Sequence, residues 1–494
     1  MRLGTVGALI GWLIIFLSLA LLTPIPFCLY YGDRSWAAFL VSSALGLVAG
    51  GGLVWAFVPE KEIGHREGFA IVTFSWAAAA VIGAFPYYFS GAIPGFADAL
   101  FESMSGFTTT GSTILREVEV LGHGLLFWRS LTHWLGGMGI IVLSLAILPI
   151  LGIGGMQLFQ AEMPGPTKDR LAPRIQDTAR ILWGVYLVMT VAEVVLLMLA
   201  GMDFFDAVCH SFATLATGGF STHTASVAYF QNSWIEWIII FFMILAGINF
   251  TLHYRLFTGD FRSWWRSEEL RFYLAGGVLA TVVICCANMW GGIHDSWGEG
   301  FRIASFQVWA IVTTTGFGTA DFDLWAPLCK VILISLMFLG GMAGSTAGGI
   351  KQVRILLFGK FTRFQIKKLI HPRSVDAVKL DGRRVHPDIV QAILGYLSLY
   401  LSVFVAATLL VTGLGLDMVS GATAVIATLN NVGPGLGTVG PARNFADLSD
   451  PTKLVLTFCM LAGRLELYTV AVLFVPSYWK GVHGPAWRWS KGKR

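Results

Sequence analysis

The chain has 494 residues, of which 55% are hydrophobic and only 13% are charged. Soluble globular proteins carry about 25% charged residues, so this composition excludes an ordinary soluble domain. A helix needs ~20 mostly apolar residues to cross the hydrocarbon core of a bilayer, and many such stretches follow one another here. The sequence therefore predicts a polytopic membrane protein.

Ten apolar spans are predicted in chain order, two leading spans and then four pairs. They lie at 8–31, 37–57, 67–91, 122–152, 179–201, 228–257, 269–291, 324–347, 387–413 and 452–476. An even number of spans puts both chain ends on one side of the membrane. Segment 155–178 contains three prolines and predicts a loop on that side. Segment 351–373 alternates basic and apolar residues, which is typical of an interfacial segment.

Basic residues are divided unequally between two sets of connections. Four long connections hold three basic and thirteen acidic residues: 92–121, 202–234, 292–324 and 414–450. The opposite set holds 26 of the 34 Lys and Arg: the N-terminus, 58–67, 153–180, 254–271, 351–388 and 478–494. Basic residues favour the cytoplasmic side, so both termini are predicted to be cytoplasmic. The acidic connections face outward, where negative charge concentrates cations near an entrance.

Each of the four outward connections contains a similar glycine-rich segment. These are GFTTTGST (106–113), LATGGFST (215–222), VTTTGFGT (312–319) and NVGPGLGT (431–438). Aligned on one glycine, they make Gly111, Gly219, Gly316 and Gly435 equivalent, at intervals of 108, 97 and 119 residues. A second short motif, which we call the glycine word, follows in the next span of each repeat: LGG (135–137), LAG (245–247), LGG (339–341) and LAG (461–463). The same words in the same order indicate a fourfold internal repeat.

Each repeat has the pattern of a span, a short pore helix, a loop and a second span. Irregular backbone survives in a bilayer only where it is buried in protein or lines a watery cavity, so each loop is predicted to re-enter the membrane. Glycine allows backbone conformations that a Cβ would hinder, and rings of backbone carbonyls can replace the water shell of a cation. Uncharged carbonyls suit a weakly hydrated monovalent ion such as K⁺.

The predicted fold is an all-α polytopic membrane protein. It has two N-terminal spans followed by four repeats of span, pore helix, filter loop and span (M1–P–M2) around a pseudo-fourfold pore. The predicted segments are 1–60 for the leading spans, 61–178 for repeat 1, 179–266 for repeat 2, 267–385 for repeat 3 and 386–494 for repeat 4 with the basic tail.

The predicted K⁺ selectivity filter consists of three residues from each loop, which would bind K⁺ through backbone carbonyls. They are Thr109, Thr110, Gly111, Thr217, Gly218, Gly219, Thr314, Thr315, Gly316, Gly433, Pro434 and Gly435. A lone TTG word would favour a packing or turn glycine, but its fourfold recurrence favours the filter. The fourth loop lacks the threonine pattern, which predicts an asymmetric filter.

Segment 338–350 has a glycine density that disfavours a continuous helix, because each glycine costs ~1 kcal/mol relative to alanine. The alternative is close helix packing. We interpret the segment as an unwound loop beneath the filter that acts as a gate. Its predicted gate residues are Gly340, Gly341, Gly344, Ser345, Thr346, Gly348 and Gly349. The basic stretch that follows it either receives a pull from a cytosolic partner or is simply topogenic.

Several polar side chains lie inside the predicted spans. Arg464 and Glu466 are mid-span, and intramembrane charges usually face the bundle interior. We expect Arg464 to lie in the conduit below the filter and to repel K⁺ there, with Glu466 as its counter-charge; a structural ion pair is the alternative. The snorkelling of long side chains to the interface is expected for Arg129, Lys330 and Lys453. Satisfied helix–helix contacts are expected for His133 and Asn249.

The chain resembles the Trk/Ktr/HKT superfamily of potassium transporters, and within it the TrkH branch. The resemblance rests on FESMSGFTTTGST, SFATLATGGFSTH, TTTGFGTADF, NNVGPGLG, FLGGMAGSTAGGIK and LAGRLELYTV, in register over 67–476. It implies K⁺ uptake across the bacterial inner membrane through a gated pore, a homodimer with one pore per protomer, and a cytosolic nucleotide-binding regulatory subunit similar to TrkA. Glycine at all four filter positions favours K⁺ over Na⁺ within this superfamily.

Other functions are weighed against this one. The nearest is the K⁺-binding pore subunit of a Kdp-type ATP-driven pump. An intramembrane enzyme is disfavoured, since the sequence has no HExxH, GxSxG or Walker motif. We expect no bound cofactor, K⁺ as the transported ion, lipid around the spans and no nucleic-acid partner. Passive, H⁺-coupled and Na⁺-coupled transport all remain compatible with the sequence.

Overall fold

The computed structural model describes residues 3–58, 64–146, 175–372 and 377–480. Long helices dominate these ranges, which confirms the all-α fold class. A small hairpin pairs β1 (Lys379–Leu380) with β2 (Arg383–Arg384), with Lys379 opposite Arg384. Most of the predicted loop over 155–178 and the basic tail after residue 480 lie outside the described residues.

The two leading spans pack closely because small residues face one another. They consist of α1 (Leu3–Ala20), which continues through a turn into α2 (Ile25–Tyr31), and α3 (Trp36–Ala56). A methyl group on Gly11 would lie 2.8 Å from the carbonyl oxygen of Gly50, and one on Gly50 would lie 2.8 Å from that of Gly11. Such close backbone approach is how small residues join helices in membranes.

Four similar sets of helices follow. The first is α4 (His65–Phe89), α5 (Phe96–Phe107) and α6 (His123–Ala146). The second is α7 (Ile175–Leu199), α8 (Phe204–Leu215), α9 (Ser233–Ala246) and α10 (Phe250–Phe257), with α11 (Phe261–Arg266) after it. The third is α12 (Glu268–Trp290), α13 (Trp297–Val312) and α14 (Pro327–Met337), with α15 (Gln352–Ile370) after it. The fourth is α16 (Pro387–Gly413), α17 (Met418–Leu429), α18 (Asp450–Arg464) and α19 (Tyr468–Ala471), with α20 (Pro476–Trp479) after it.

The second helix of each set, α5, α8, α13 or α17, is short and is called a pore helix below. Three of the four have 12 residues, about 18 Å of helix at 1.5 Å per residue, which is too short to cross a bilayer. Side-chain caps fix where three of them begin. Asp203 accepts from Phe205 N, Ser296 from Glu299 N, and Asp417 from Val419 N and Ser420 N, as preferred N-cap residues do.

In three of the four sets, the long helix after the pore helix ends within two residues of the glycine word, LGG or LAG. The axis bends by 102° between α9 and α10 and by 111° between α18 and α19, and α14 stops at Met337, just before Leu339–Gly341. In the first set, α6 runs through Gly136 and Gly137 without a break. The word therefore marks a position where a helix can be interrupted.

Fewer unbroken spans are found than the ten predicted. Within the described residues, six helices are long and apolar enough to cross a membrane, or eight if each bent pair counts as one span. The predicted span at 324–347 is reduced to the 11 residues of α14, because the glycine-rich segment after it is not helical. The predicted span at 122–152 corresponds to α6 as far as Ala146, with Arg129 and His133 in the first half of the helix, and the last six residues of the span lie outside the described ranges.

Two ion pairs with buried basic residues join the first pore helix to the long helices behind it. Arg129 Nε lies 2.8 Å from Glu102 Oε1, and their side chains are 2% and 0% exposed. Lys453 Nζ lies 2.5 Å from Asp98 Oδ1 and also donates to the Ala446 carbonyl. The prediction that Arg129 and Lys453 snorkel to the interface is therefore wrong, because each is buried on an acidic partner from the first pore helix.

We predict that Arg129→Ala destabilises the fold strongly. Breaking a buried ion pair costs about 3–5 kcal/mol because one charge is left unpaired. The melting temperature of the purified protein in detergent, followed by tryptophan fluorescence, measures this loss. Arg116→Ala is the matched control, since Arg116 and Asp447 pair with side chains 72% and 81% exposed, and such pairs contribute less than about 1 kcal/mol. Equal melting shifts for both variants would contradict the assignment.

Candidate functional site

The four predicted filter loops share one backbone conformation. The second residue after each pore helix has a positive φ: 51° at Thr109, 55° at Thr217, 57° at Thr314 and 56° at Asn431. Two residues later a glycine has a positive φ as well: 81° at Gly111, 79° at Gly219, 79° at Gly316 and 103° at Gly433. The residue between them donates its N–H over 2.8 Å to the carbonyl five residues back: Thr110 to Ser105, Gly218 to Ala213, Thr315 to Ala310, and Val432 to Ala427.

The loops touch one another in cyclic order. A methyl group on Gly111 would lie 2.2 Å from the Gly218 carbonyl oxygen, and one on Gly219 would lie 2.0 Å from that of Thr315. The series continues from Gly316 to Val432 at 2.0 Å and returns from Gly433 to Thr110 at 2.9 Å. Four backbone carbonyl groups thus alternate with four glycines in a closed ring, called the carbonyl ring below: Thr110, Gly218, Thr315 and Val432.

The fourth loop enters this ring through Gly433 and not through Gly435. The alignment that equated Gly435 with Gly111, Gly219 and Gly316 is therefore wrong by two residues. Gly435 lies beyond the ring, where its N–H donates to the Val439 carbonyl over 2.7 Å. Pro434 lies beside the third loop, since its Cδ would be 3.1 Å from a methyl group on Gly316.

The four loops differ in the side chains that pack behind their backbone. In the first and third loops, two threonine hydroxyls are bonded at 2.8 Å: Thr108 with Thr110, and Thr313 with Thr315. The second loop has Ala216 and Gly218 at these places. In the fourth loop Asn431 Nδ2 donates to Thr110 Oγ1 over 2.9 Å and to the Met460 carbonyl over 3.0 Å. The ring is fourfold in backbone but not in side chains.

Two contacts explain why a glycine recurs at this position of the long helices. A methyl group on Gly136 would lie 2.0 Å from the carbonyl oxygen of Phe107, the last residue of α5. One on Gly463 would lie 1.8 Å from that of Leu429, the last residue of α17. Glycine at these places lets the long helix lie directly against the C-terminal end of the pore helix.

The predicted gate segment 338–350 is non-helical, as expected, and it contacts three of the four repeats. Thr346 Oγ1 donates to the Leu215 carbonyl over 2.9 Å, at the end of α8. Gly348 N donates to Thr314 Oγ1 in the third filter loop over 2.7 Å. A methyl group on Gly348 would lie 2.3 Å from the Asn430 carbonyl oxygen, at the end of α17. The segment therefore lies against the inner ends of pore helices and filter loops.

The gate segment is densely packed. Met342, Ser345, Thr346 and Ala347 are at most 2% exposed. The Glu269 carboxylate joins the middle of the segment to the start of α15, since its Oε1 accepts from Ala343 N over 2.8 Å and from Val353 N over 3.1 Å. Residues Gly344 and Gly349 have φ of 77° and 67°, a backbone that favours glycine.

Arg464 holds the gate segment to the first repeat. Its Nη1 donates to the Thr346 carbonyl over 2.7 Å, and its Nη2 donates to the Gly136 carbonyl over 3.2 Å. The residue is 2% exposed, and in the described parts of the chain it makes no ion pair. The prediction that Glu466 is its counter-charge is wrong, because Glu466 pairs with Arg354 at the start of α15.

Three residues of this region were not predicted to belong to it. Glu269 lies at the start of an apolar span, next to a connection rich in basic residues. An acidic residue at that place is the sequence feature that could have identified it as part of this region. Asn249 caps α10 by accepting from Thr251 N over 2.8 Å, beside Gly344. His133 lies directly behind Gly218. The prediction that His133 is a satisfied helix contact holds in part: its ring approaches the Ser105 backbone of α5, but neither nitrogen makes a hydrogen bond of normal geometry among the described residues.

Comparison with known proteins assigns the chain to a family. The family model TrkH, described as "Cation transport protein", matches residues 36–287 and 295–480. The chain belongs to the TrkH family. It is 44% identical to "Trk system potassium uptake protein TrkH" of Salmonella typhimurium, over 97% of this chain and 100% of that protein. It is also 37% identical to "Trk system potassium uptake protein TrkG" of Escherichia coli, over 95% and 97% of the two chains.

A solved structure agrees with this assignment. The crystal structure of the potassium transporter TrkH from Vibrio parahaemolyticus matches 97% of this chain and 100% of that chain, with a TM-score of 0.90 and 38% sequence identity. The alternative of a Kdp-type pump subunit has no support in these comparisons. The TrkH resemblance and the fold class predicted from sequence are both confirmed.

We predict that Gly316→Ala destabilises the protein while Gly318→Ala does not. At Gly316 a methyl group meets the Val432 carbonyl oxygen at 2.0 Å and φ is +79°; the left-handed backbone alone costs an L-residue about 1–2 kcal/mol. At Gly318 the nearest atom, Ser226 Cβ, is 4.0 Å away. Melting temperatures in detergent compare the two. A similar melting temperature for both variants would show that the ring contact is not tight.

Proposed function

We propose that this chain carries K⁺ into bacterial cells through a gated pore whose filter is the carbonyl ring. The observation that carries the proposal is the closed cycle of glycine–carbonyl contacts between the four loops. The relatives named as potassium uptake proteins support the choice of ion. A chain of this kind acts as a multi-pass protein of the inner membrane and catalyses no covalent reaction.

The chemistry of the ring suits a monovalent cation. Backbone carbonyls replace the water shell of K⁺ without a formal charge that would hold it too tightly. The four pore helices lead directly into the ring at their C-terminal ends, and the negative end of each helix dipole favours a cation there. Glycine at Gly111, Gly219, Gly316 and Gly433 keeps side chains out of the gaps between neighbouring loops.

The gate segment is the barrier below the filter. It lies across the inner ends of the second, third and fourth repeats and is tied to the first through Arg464. The guanidinium of Arg464 adds a fixed positive charge beside this barrier, which disfavours a K⁺ ion resting there. Conduction requires Thr346 and its neighbours to move aside.

Assembly with a regulatory partner is part of the proposal. The relatives are named as members of a Trk system, and a TrkA-like nucleotide-binding subunit on the cytosolic face fits the surface of α15. That helix begins directly after the gate segment, and it exposes Leu369 and Ile370 beside Lys367 and Lys368. The homodimer and the cytoplasmic termini rest on the family resemblance and on the distribution of basic residues.

The filter is tested by Gly111→Ser. Its side chain would begin 2.2 Å from the Gly218 carbonyl oxygen, so the ring must distort. We expect the ratio of Rb⁺ to Na⁺ uptake to fall roughly tenfold, the effect of one misplaced contact on discrimination, which is a larger loss than that of abundance in the membrane. Uptake of radioactive Rb⁺ and Na⁺ is measured in K⁺-depleted bacteria that lack other K⁺ uptake systems. Gly318→Ser is the control, and an unchanged ratio in Gly111→Ser would remove Gly111 from the filter.

The gate is tested by deleting residues from Gly340 to Ser345. We expect Rb⁺ flux into vesicles that no longer depends on the cytosolic partner, because the barrier below the ring is gone. Arg464→Ala should leak more mildly, since it loses the bonds to Thr346 and Gly136 and leaves the segment itself. Arg443→Ala, at an exposed arginine of the outer connection, is the control. A folded deletion variant that stays closed without the partner would place the gate elsewhere.

A further inference from the structure

His133 lies behind the carbonyl ring at the second loop. A methyl group on Gly218 would be 2.3 Å from its Nδ1, 2.5 Å from its Cγ and 2.6 Å from its Cε1. The residue is 0% exposed and belongs to α6 of the first repeat, whereas Gly218 belongs to the second. We propose that His133 is a positioning residue for ion discrimination, and that its imidazole ring replaces the threonine side chain that braces the first and third loops.

The comparison between loops carries this proposal. At the ring position the first and third loops have Thr110 and Thr315, each held from behind by the hydroxyl of a second threonine at 2.8 Å. The second loop has neither hydroxyl, because Ala216 and Gly218 occupy these places. A Gly218 carbonyl without a brace would be free to shift, since glycine restricts its own backbone least. The imidazole ring occupies the volume that a threonine side chain would need.

The position of the imidazole is itself fixed by a stack of planar groups. Its ring lies parallel to that of Phe220, with centroids 4.1 Å apart and an interplanar angle of 16°. The Arg129 guanidinium lies 4.0 Å from the centroid of the same Phe220 ring. Arg129 is held in turn by Glu102 and by the Ser221 carbonyl, at 2.8 and 3.0 Å. The brace therefore extends from the first pore helix to the second filter loop.

The brace works through shape. The ring nitrogens of His133 make no hydrogen bond to the second loop among the described residues, and the backbone group that they approach is that of Ser105 in α5, so no bond to a particular nitrogen holds the loop. Two expectations follow. A flat ring without nitrogens should replace the imidazole, and a smaller side chain at position 133 should tolerate a larger one at position 218.

The test uses four variants of the full chain in K⁺-depleted bacteria without other K⁺ uptake systems: His133→Ala, His133→Phe, Gly218→Thr and the double change His133→Ala with Gly218→Thr. Initial rates of Rb⁺ uptake, their KM and inhibition by Na⁺ are measured at matched membrane abundance. We expect the Rb⁺ to Na⁺ uptake ratio of His133→Ala to fall roughly tenfold. His133→Phe should keep the ratio, Gly218→Thr should lose uptake, and the double change should recover both ratio and uptake.

His253→Ala is the matched control. His253 is also buried, but its Nε2 bonds to the Leu245 carbonyl over 2.8 Å and its ring contacts Phe250 and Trp264. Its loss should reduce abundance without changing the ion ratio. The proposal is overturned if His133→Ala keeps the wild-type ratio, or if the double change is no better than Gly218→Thr alone. If His133→Ala fails to insert, His133→Phe and the double change decide the outcome in the same way.

The proposal rests on the proposed function, and the two fail differently. If the wild-type chain takes up no Rb⁺ in preference to Na⁺, K⁺ transport through the carbonyl ring is wrong. If wild type discriminates and the four variants behave like His253→Ala, the transport function stands and the role of His133 is only structural.

Discussion

Backbone groups that leave a helix inside a bilayer find no water, so the protein itself must supply their hydrogen-bond partners. The rest of this structure depends on that constraint. Each filter loop meets it by bonding back to its own pore helix, five residues earlier. The gate segment has no helix of its own to use, so it takes partners from elsewhere: Glu269, Thr314 and Arg464. The segment is thereby bonded to the second and third repeats, and through Arg464 of the fourth repeat it is connected to Gly136 of the first.

The same constraint explains why the fourfold pattern is broken. Within the described ranges, the third repeat alone has a long unwound segment at its glycine word, so the surfaces that face it in the other repeats differ. Thr314 belongs to the third loop and its hydroxyl accepts a hydrogen bond from Gly348 N. Arg464 donates to the carbonyls of both Thr346 and Gly136. In the fourth loop, Asn431 replaces threonine and reaches the hydroxyl of Thr110. The side chains that differ between the loops are thus the ones that bond the segment or a neighbouring loop.

Features that recur along the chain can be predicted from the sequence, whereas contacts between residues far apart in the chain cannot. Repeated words revealed the four loops, and glycine density revealed the unwound segment. The fourth loop was misaligned because NVGPGLGT lacks the TTG word, and its second GxG resembles the third loop more than its first. Arg464 and Glu466 looked like a pair because they are two residues apart, although residues at that spacing do not face each other on a helix. The true partner, Arg354, is more than a hundred residues away.

The dense packing of the gate segment constrains how it can open. A mobile element is expected to have few buried contacts, yet this one is buried and hydrogen-bonded along its length. If the segment gates the pore as proposed, opening is an exchange between two bonded arrangements, and a partner can drive it only by its differential affinity for the two. The first turn of α15 provides the connection. Val353 shares the Glu269 carboxylate with Ala343, Gln352 bonds the Gly340 carbonyl, and Arg354 pairs with Glu466 beside Arg464. A displacement of α15 would thus reach both ends of the segment and its anchor at once.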